Sequence, residues 1–155
     1  MCCLRPQARR LRKALGGGMR QAGVIAAAGL VALRDVLPRL GDDHANMARL
    51  AAGLATVPGV SLRGGVAPAT NIAFLDLSPA IDFPALQAGL RARGIAANGA
   101  PGLMRVVTHH QVSAADVDEV IAAFRELCTP AVAAHAKLLA VQQQVAQQFG
   151  SPPPR

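Results

Sequence analysis

Residues 9–33, RRLRKALGGGMRQAGVIAAAGLVAL, contain a basic segment, three consecutive glycines, an arginine and then a run with almost no polar residue. Each glycine costs roughly 1 kcal/mol relative to alanine inside a helix, so residues 16–18 are predicted to form a turn between two helices. The second helix is predicted to begin near Met19, with its free N–H groups and positive dipole end beside Arg20, where an anion such as phosphate would bind. A plain corner between two helices explains the same residues, because no P-loop or dinucleotide-binding glycine pattern is present.

The apolar run at residues 22–33 is rich in alanine and glycine on all faces. This composition is typical of a helix buried among other helices, and in a chain of this size it predicts a subunit or domain interface. The run is shorter than the roughly 20 residues that a bilayer span needs. We therefore expect no membrane segment.

Downstream of this run, helical and strand patterns alternate. The predicted elements, in chain order, are a helix at 39–56 after Pro38, a weak strand at 60–63, a clear strand at 71–77, a helix from the N-cap Asp82 to Gly94, strands at 95–98 and 103–108 joined by a turn at 99–102, and a helix from Ser113 to about Cys128. The order β, β, α, β, β, α predicts an antiparallel sheet covered by helices. The predicted class is α/β, in the form of a small α+β domain preceded by a helix-rich linker.

Three regions are expected along the chain. Residues 1–37 are predicted to be a basic segment followed by the buried inter-domain helix, and residues 38–129 a small C-terminal α/β domain. Residues 130–155 are predicted to be a helical extension that ends in a disordered, proline-rich tail.

Composition limits the possible partners. The chain has 155 residues, 52% of them hydrophobic and only 3% aromatic, so bases have no aromatic side chains to stack on. The net charge of +7 is concentrated before residue 21, and no acidic residue precedes Asp35. Such clustering attracts nucleic acid or anionic lipid and is also found in mitochondrial transit peptides, but charge alone supports these readings. Three cysteines without metal-ligand spacing indicate a reducing compartment, so the cytoplasm is expected and the mitochondrion is the second possibility.

Four segments together resemble a known enzyme family, in the same order along the chain. They are residues 9–33, the Asp42-Asp43-His44 triplet with Asn46, the Thr70-Asn71 pair that opens TNIAFLDL, and RVVTH at residues 105–109 followed by VSAADVDEVI. The chain resembles the C-terminal part of the pyridoxal-phosphate-dependent L-threonine aldolases. This resemblance implies the C-terminal domain of a fold-type I enzyme, pyridoxal phosphate as cofactor, and cleavage of L-threonine or L-allo-threonine to glycine and acetaldehyde. It also implies a homo-oligomer, which is a tetramer in the family, with no nucleic acid or membrane as partner.

The resemblance also implies roles for three basic residues. Arg105 matches the arginine that holds the substrate α-carboxylate, a role that suits a planar guanidinium with two parallel N–H donors. Arg20 matches an arginine that reaches the cofactor phosphate across a subunit interface, and Lys13 a lysine near the substrate end of the site. The alternatives are an ion pair of Arg105 with Asp116 or Asp118, and a solvated basic face for Arg20 and Lys13.

The departures from the family concern the covalent anchor of the cofactor. The family's Schiff-base lysine follows a serine and precedes a glycine-rich turn, whereas Lys13 and Lys137, the two lysines of this sequence, have no such context. The opening MCCLRPQA does not resemble the family. We therefore expect a fragment or shortened product, assign no catalytic residue, and expect little or no aldolase activity from this chain alone. Two other hypotheses are an interaction protein that associates through residues 22–33 and a weak nucleic-acid-binding basic module.

No metal site is expected. His109 and His110 are neighbours on a predicted strand and would point to opposite faces. Cys128, near a predicted helix end, is interpreted as a buried small hydrophobic residue.

Overall fold

The computed structural model describes residues 4–149, with side chains described as far as residue 144. The chain divides into two compact units, Met1–Pro38 and Arg39–Arg155. The first unit contains helix α1, Leu4–Ala14, and helix α2, Gly23–Val31. Helix α2 is followed by a π-helical turn, Ala32–Val36, and a 3-10 turn, Leu37–Arg39, which contains Pro38.

The three glycines after α1 form a turn, as predicted. Gly16 has φ +83°, in the left-handed region that favours glycine, and its N–H donates to the Lys13 carbonyl at 3.2 Å. The N–H of Gly17 donates to the Arg12 carbonyl at 2.8 Å, and a Cβ at Gly17 would lie 3.0 Å from the same oxygen. A side chain at either position would therefore disturb the end of α1.

The predicted start of the second helix is wrong. Helix α2 begins at Gly23, and the residues before it, from Arg20, form a turn. Gln21 adopts φ +49° in this turn, a conformation that a helix cannot contain. The free N–H groups at the start of α2 therefore do not begin beside Arg20, and the expected anion site at a helix N-terminus is not formed there.

The apolar side chains of α2 are exposed in the described chain. Val24 is 84% exposed, Ile25 61% and Leu30 66%. The burial expected for residues 22–33 is therefore not provided by the described residues of the unit to which α2 belongs. No helix among residues 4–149 is long and apolar enough to cross a membrane.

The second unit contains a four-stranded antiparallel sheet with the spatial order β1-β2-β4-β3. Its elements are α3 (Leu40–Leu54), β1 (Val60–Leu62), β2 (Ile72–Leu77), α4 (Phe83–Ala92), β3 (Asn98–Ala100), β4 (Leu103–Val107) and α5 (Ala114–Phe149). Side chains of β2 and β4 alternate between buried and more exposed positions, because the three helices cover one face of the sheet. The predicted order of elements and the fold class are confirmed.

Two glycines let α5 pack closely on the other helices. A Cβ at Gly53 of α3 would overlap the Ile121 side chain of α5, and a Cβ at Gly89 of α4 would lie 2.7 Å from Cδ2 of Leu127. Each glycine thus leaves room for one large aliphatic side chain of α5.

Two predicted boundaries are wrong. The strand expected at 95–98 lies at Asn98–Ala100. The helix expected to end at about Cys128 is continuous through Pro130 with the helical extension predicted after it, and the two form one 36-residue helix. Proline removes one backbone hydrogen bond and normally breaks a helix, but Val132 packs against the core, and a Cβ at Gly59 would lie 2.7 Å from its Cγ2. The predicted tail at the C-terminus lies outside the described residues.

Candidate functional site

Arg105 lies on the open face of the sheet, in the middle of β4. Its direct cross-strand neighbours are Phe74 of β2 and Asn98 of β3. Arg105 is exposed and makes no ion pair within the part of the chain that the structure describes. The guanidinium of Arg105 is not buried, because the side chain points away from the helices that cover the other face of the sheet.

The alternative partners of Arg105 are engaged elsewhere. Asp118 accepts two hydrogen bonds from Arg49, at 2.9 Å from Nε and 2.7 Å from Nη2. Asp116 accepts hydrogen bonds from the N–H and the hydroxyl of Ser113, both at 2.8 Å, and the pKa of its carboxyl is lowered by these bonds, chiefly the backbone one. Ser113 in return accepts from the Asp116 N–H at 3.2 Å, which confirms it as the cap of α5. The ion-pair alternative for Arg105 is therefore not formed.

Three of the segments on which the resemblance rests meet beyond the end of β4. The Thr108 hydroxyl, which is buried, donates to the Asp43 carbonyl of α3 at 2.7 Å. The N–H of Thr108 donates to the Asn71 carbonyl at 3.0 Å, and Nδ2 of Asn71 donates to the Thr108 carbonyl at 2.7 Å. Nδ2 of Asn46 donates to the Val112 carbonyl at 2.9 Å, in the loop that follows. These bonds hold the strand that carries Arg105 against α3 and β2.

Sequence reasoning did not find this hydrogen-bonded group. The sequence does indicate that such bonds exist, because Asn71 and Thr108 lie at the ends of apolar strands and a buried polar side chain needs a hydrogen-bond partner. The partners themselves are 37 residues apart in one case and 65 in another, so their pairing was not visible in the sequence.

Lys13 and Arg20 belong to the first unit, whereas Arg105 belongs to the second. Lys13 lies in the last turn of α1, and its Nζ would be 3.3 Å from a Cβ at Gly18. Lys13 and Arg20 are both exposed, and neither forms an ion pair in the described chain. Both observations also agree with the alternative that these residues form a solvated basic face. The structure therefore does not join the three predicted site residues in one rigid unit.

A cavity of about 400 Å³ lies on the other side of β4 from Arg105. It is bounded by the residues before β3, the end of β4 and the start of α5, including Ile95, Val106, Thr108, Val117 and Phe124. Since several of these side chains belong to the covered face of the sheet, the cavity is separate from the surface that carries Arg105.

No metal site is found among the residues that the structure describes, where no group of three potential ligands occurs. His109 and His110 lie in the loop after β4, not on a strand as predicted, and their rings are 6.0 Å apart between centroids. Cys128 is buried as predicted, and burial raises the pKa of its thiol to about 11, which makes it a poor nucleophile.

The chain is similar to a family of lyases in sequence and to a PLP-dependent enzyme in structure. The family model of the beta-eliminating lyases matches residues 4–78. A solved structure of a C-DES variant with glycine covalently linked to its PLP cofactor superimposes with a TM-score of 0.52 and 16% identity, covering 58% of this chain and 24% of that one. The fold is therefore that of part of a fold-type I PLP enzyme, as predicted.

The curated relatives are more specific. The chain is 38% identical to low-specificity L-threonine aldolase 1 of Arabidopsis thaliana over 123 residues, which are 77% of this chain and 34% of the relative. It is also 38% identical to the low specificity L-threonine aldolase of Escherichia coli strain K12 over 116 residues, 75% of this chain and 33% of the relative. The chain is thus similar to the L-threonine aldolases over about three quarters of its own length, and it spans about a third of theirs.

The family match also corrects the expected start of the resemblance. It begins at Leu4, so residues 4–8 of MCCLRPQA belong to the matched region. In the structure, Leu4 is the first residue of α1. The expectation that the resemblance starts only at Arg9 is therefore wrong.

Proposed function

We propose that this chain supplies the substrate-carboxylate and cofactor-phosphate arginines of a PLP-dependent aldehyde lyase of the threonine aldolase type. The substrates are β-hydroxy amino acids such as L-threonine and L-allo-threonine, and the products are glycine and acetaldehyde. The observation that carries this proposal is Arg105: it lies in the RVVTH segment, is exposed on the open sheet face, and has no acidic partner in the described chain.

The surroundings of Arg105 support carboxylate binding. A free guanidinium binds a carboxylate through two parallel N–H···O bonds, which fixes the orientation of the amino acid as well as its position. The bonds of Thr108 to Asp43 and Asn71 hold the end of β4 in place three residues further along the chain. A fixed strand keeps the binding arginine in a defined place, which is what orientation of the substrate Cα–Cβ bond requires.

The residues of this chain fit only the anionic groups of the cofactor and substrate. Arg20 is assigned to the phosphate through its own guanidinium, because the start of α2 lies further along the chain. When bound, pyridoxal phosphate supplies the electron sink for breaking a bond at Cα. Neither Lys13, which lies over the glycine turn, nor Lys137, exposed on α5, has the sequence context of the family's anchoring lysine. We therefore propose that the chain alone has no aldolase activity, and we assign no proton transfer to it.

Carboxylate binding by Arg105 can be tested directly by NMR on the full chain. Titration with L-threonine is expected to shift the Nε–H signal of Arg105 and the amide signals of Phe74 and Asn98. The exposed Arg91 of α4, which makes no ion pair in the described chain, is the internal control. Equal shifts at Arg105 and Arg91, or none at Arg105, would contradict the assigned role.

Inactivity is tested separately. The purified chain is mixed with pyridoxal phosphate, reduced with borohydride, and digested to map any labelled lysine, and acetaldehyde release from L-threonine is measured in parallel. We expect no specific label and no release. A label at Lys13 together with threonine cleavage would show that the chain forms its own cofactor site.

Association with a second copy or a homologous aldolase is a second proposal, carried by the exposed apolar surface of α2. The side chains of Val24, Ile25 and Leu30 are each more than half exposed. Burial of such a surface favours association. Sedimentation velocity over a range of concentrations is expected to show an oligomer that Leu30→Ser weakens and the control Leu138→Ser, on an exposed part of α5, does not. The cytoplasm remains the compartment that we propose for such an assembly.

A further inference from the structure

Helix α1 presents a continuous apolar stripe to solvent. Leu4, Ala8, Leu11 and Leu15, the last just after the helix end, are spaced so that all four lie within an arc of about 60° at 3.6 residues per turn. None of the residues of α1 is buried, and the three leucines are 71%, 61% and 86% exposed, respectively. Among residues 4–38, the described part of the unit to which α1 belongs, no residue covers this stripe.

The other side of α1 is strongly basic. It carries Arg5, Arg9, Arg10, Arg12 and Lys13. No acidic residue precedes Asp35 in the sequence, and none of the five cations forms an ion pair within residues 4–149. The helix therefore combines an exposed apolar stripe with an unneutralised cationic face.

We propose that α1 binds the surface of an anionic lipid membrane. Its leucine stripe enters the boundary between headgroups and acyl chains, and its arginines contact the lipid phosphates, with the helix axis parallel to the membrane. A helix of 11 residues is only about 16 Å long, so it lies on the bilayer and does not cross it. The proposal does not rest on the proposed aldolase function, because the substitutions that test it leave Arg105, Arg20 and Lys13 unchanged.

Both features of α1 are needed to select this partner. Nucleic acid complements the charges but leaves three leucines in water, and a neutral apolar surface complements the leucines but not the arginines. An anionic bilayer offers a negative surface and an apolar layer within a few ångströms of each other.

The absence of tryptophan from the sequence allows a direct test. Leu11→Trp places a single tryptophan in the stripe, and the matched control Arg9→Trp places it on the basic face. Vesicles of phosphatidylcholine with about a third phosphatidylserine are expected to shift the Leu11→Trp emission to the blue and to leave the Arg9→Trp emission nearly unchanged. Equal shifts of the two, or no shift of Leu11→Trp, would overturn the proposed orientation.

Vesicle flotation of the full chain tests the two contributions. We expect binding at least about tenfold stronger to the anionic vesicles than to pure phosphatidylcholine, falling as salt is raised. The double substitution Leu11→Ser with Leu15→Ser, and separately Arg9→Gln with Arg10→Gln, are each expected to reduce binding about tenfold. The controls Leu138→Ser on α5 and Arg91→Gln on α4 make the same chemical changes at exposed positions outside α1 and are expected to have little effect.

Two results would overturn the proposal. Unchanged binding of the leucine double variant would show a purely electrostatic attachment, which a polyanion such as duplex DNA would match. Equal binding to neutral and anionic vesicles would show that the arginines do not recognise the surface. Since α1 buries no residue, none of its substitutions is expected to prevent folding.

Discussion

The substitution Gly53→Ala tests how closely α3 and α5 pack. The added Cβ would overlap Cδ1 of Ile121 and lie 2.7 Å from its Cγ1 and 3.1 Å from its Cγ2. Isoleucine is branched at Cβ and stiff about χ1, so it cannot simply rotate away from all three contacts. Relief requires a shift of the helix backbone or a strained rotamer.

The magnitude follows from two opposing effects. Overpacking of a core contact costs about 1–3 kcal/mol, whereas alanine in place of glycine in a helix interior gains about 1 kcal/mol. We therefore expect Gly53→Ala to lower the free energy of unfolding by about 0–2 kcal/mol. Gly41, near the start of the same helix, has no atom within 4 Å of an added Cβ, so Gly41→Ala is expected to keep the full gain and raise the free energy of unfolding by about 1 kcal/mol.

Urea unfolding followed by far-UV circular dichroism measures the difference, because the chain has no tryptophan or tyrosine to report by fluorescence. Gly41→Ala is expected to be more stable than Gly53→Ala by about 1–3 kcal/mol. In an Ile121→Ala background the clash is gone, so Gly53→Ala should cost nothing there. Equal stability of the two alanine variants, or no coupling with Ile121, would refute the close packing of α3 on α5.

Three further predictions concern two buried side chains, Cys128 and Thr108, and the close contact of β3 with β4 at Gly99. The Cys128 thiol, with its pKa raised to about 11 by burial, is expected to resist alkylation at neutral pH in peptide-mapped labelling. The unfolded chain loses this proton more easily, so the free energy of unfolding should fall as pH rises from the ordinary thiol pKa near ~8.5 toward 11. Urea unfolding midpoints measured over this pH range should fall less in a Cys128→Ser variant. Thr108→Val removes the hydroxyl that donates to Asp43 and should lower the free energy of unfolding by about 1 kcal/mol, whereas Thr108→Ser should lose less, as compared by urea unfolding. Gly99→Ala would place a Cβ 2.5 Å from the Leu103 carbonyl and should separate β3 from β4, seen as faster amide hydrogen exchange in β4.

Local signals predicted most of the second unit. Asp82 caps α4 as expected, since its Oδ1 accepts the Ala85 N–H at 3.1 Å, and Gly94 ends the same region with φ +74°. The strand predicted at 71–77, NIAFLDL, is found as β2, Ile72–Leu77. These features depend on residues within one or two turns of each other, which is why the sequence is sufficient for them.

The predicted end of α5 and the predicted start of α2 are wrong because the structure does not follow the local conformational preferences of the residues there. Pro130 normally ends a helix, but the contact of Val132 with the core around Gly59 compensates for its missing hydrogen bond. Conversely, Gln21 gives no sequence signal for a left-handed conformation, yet it delays the start of α2. Local preferences are worth up to about 1 kcal/mol for most residues and about 3 kcal/mol for proline, and the burial of a few aliphatic side chains exceeds this.

The sequence by itself determined the order of elements, the glycine turn after α1 and the four segments that resemble the L-threonine aldolases, because each depends on neighbouring residues. Only the tertiary structure decided on which sheet face Arg105 lies, that Asp116 and Asp118 have other partners, and that Thr108 joins α3 to β2. A strand's alternation divides its residues between two faces, but which face is covered depends on helices far away in the chain. The free guanidinium on which the proposed function rests is therefore a consequence of packing.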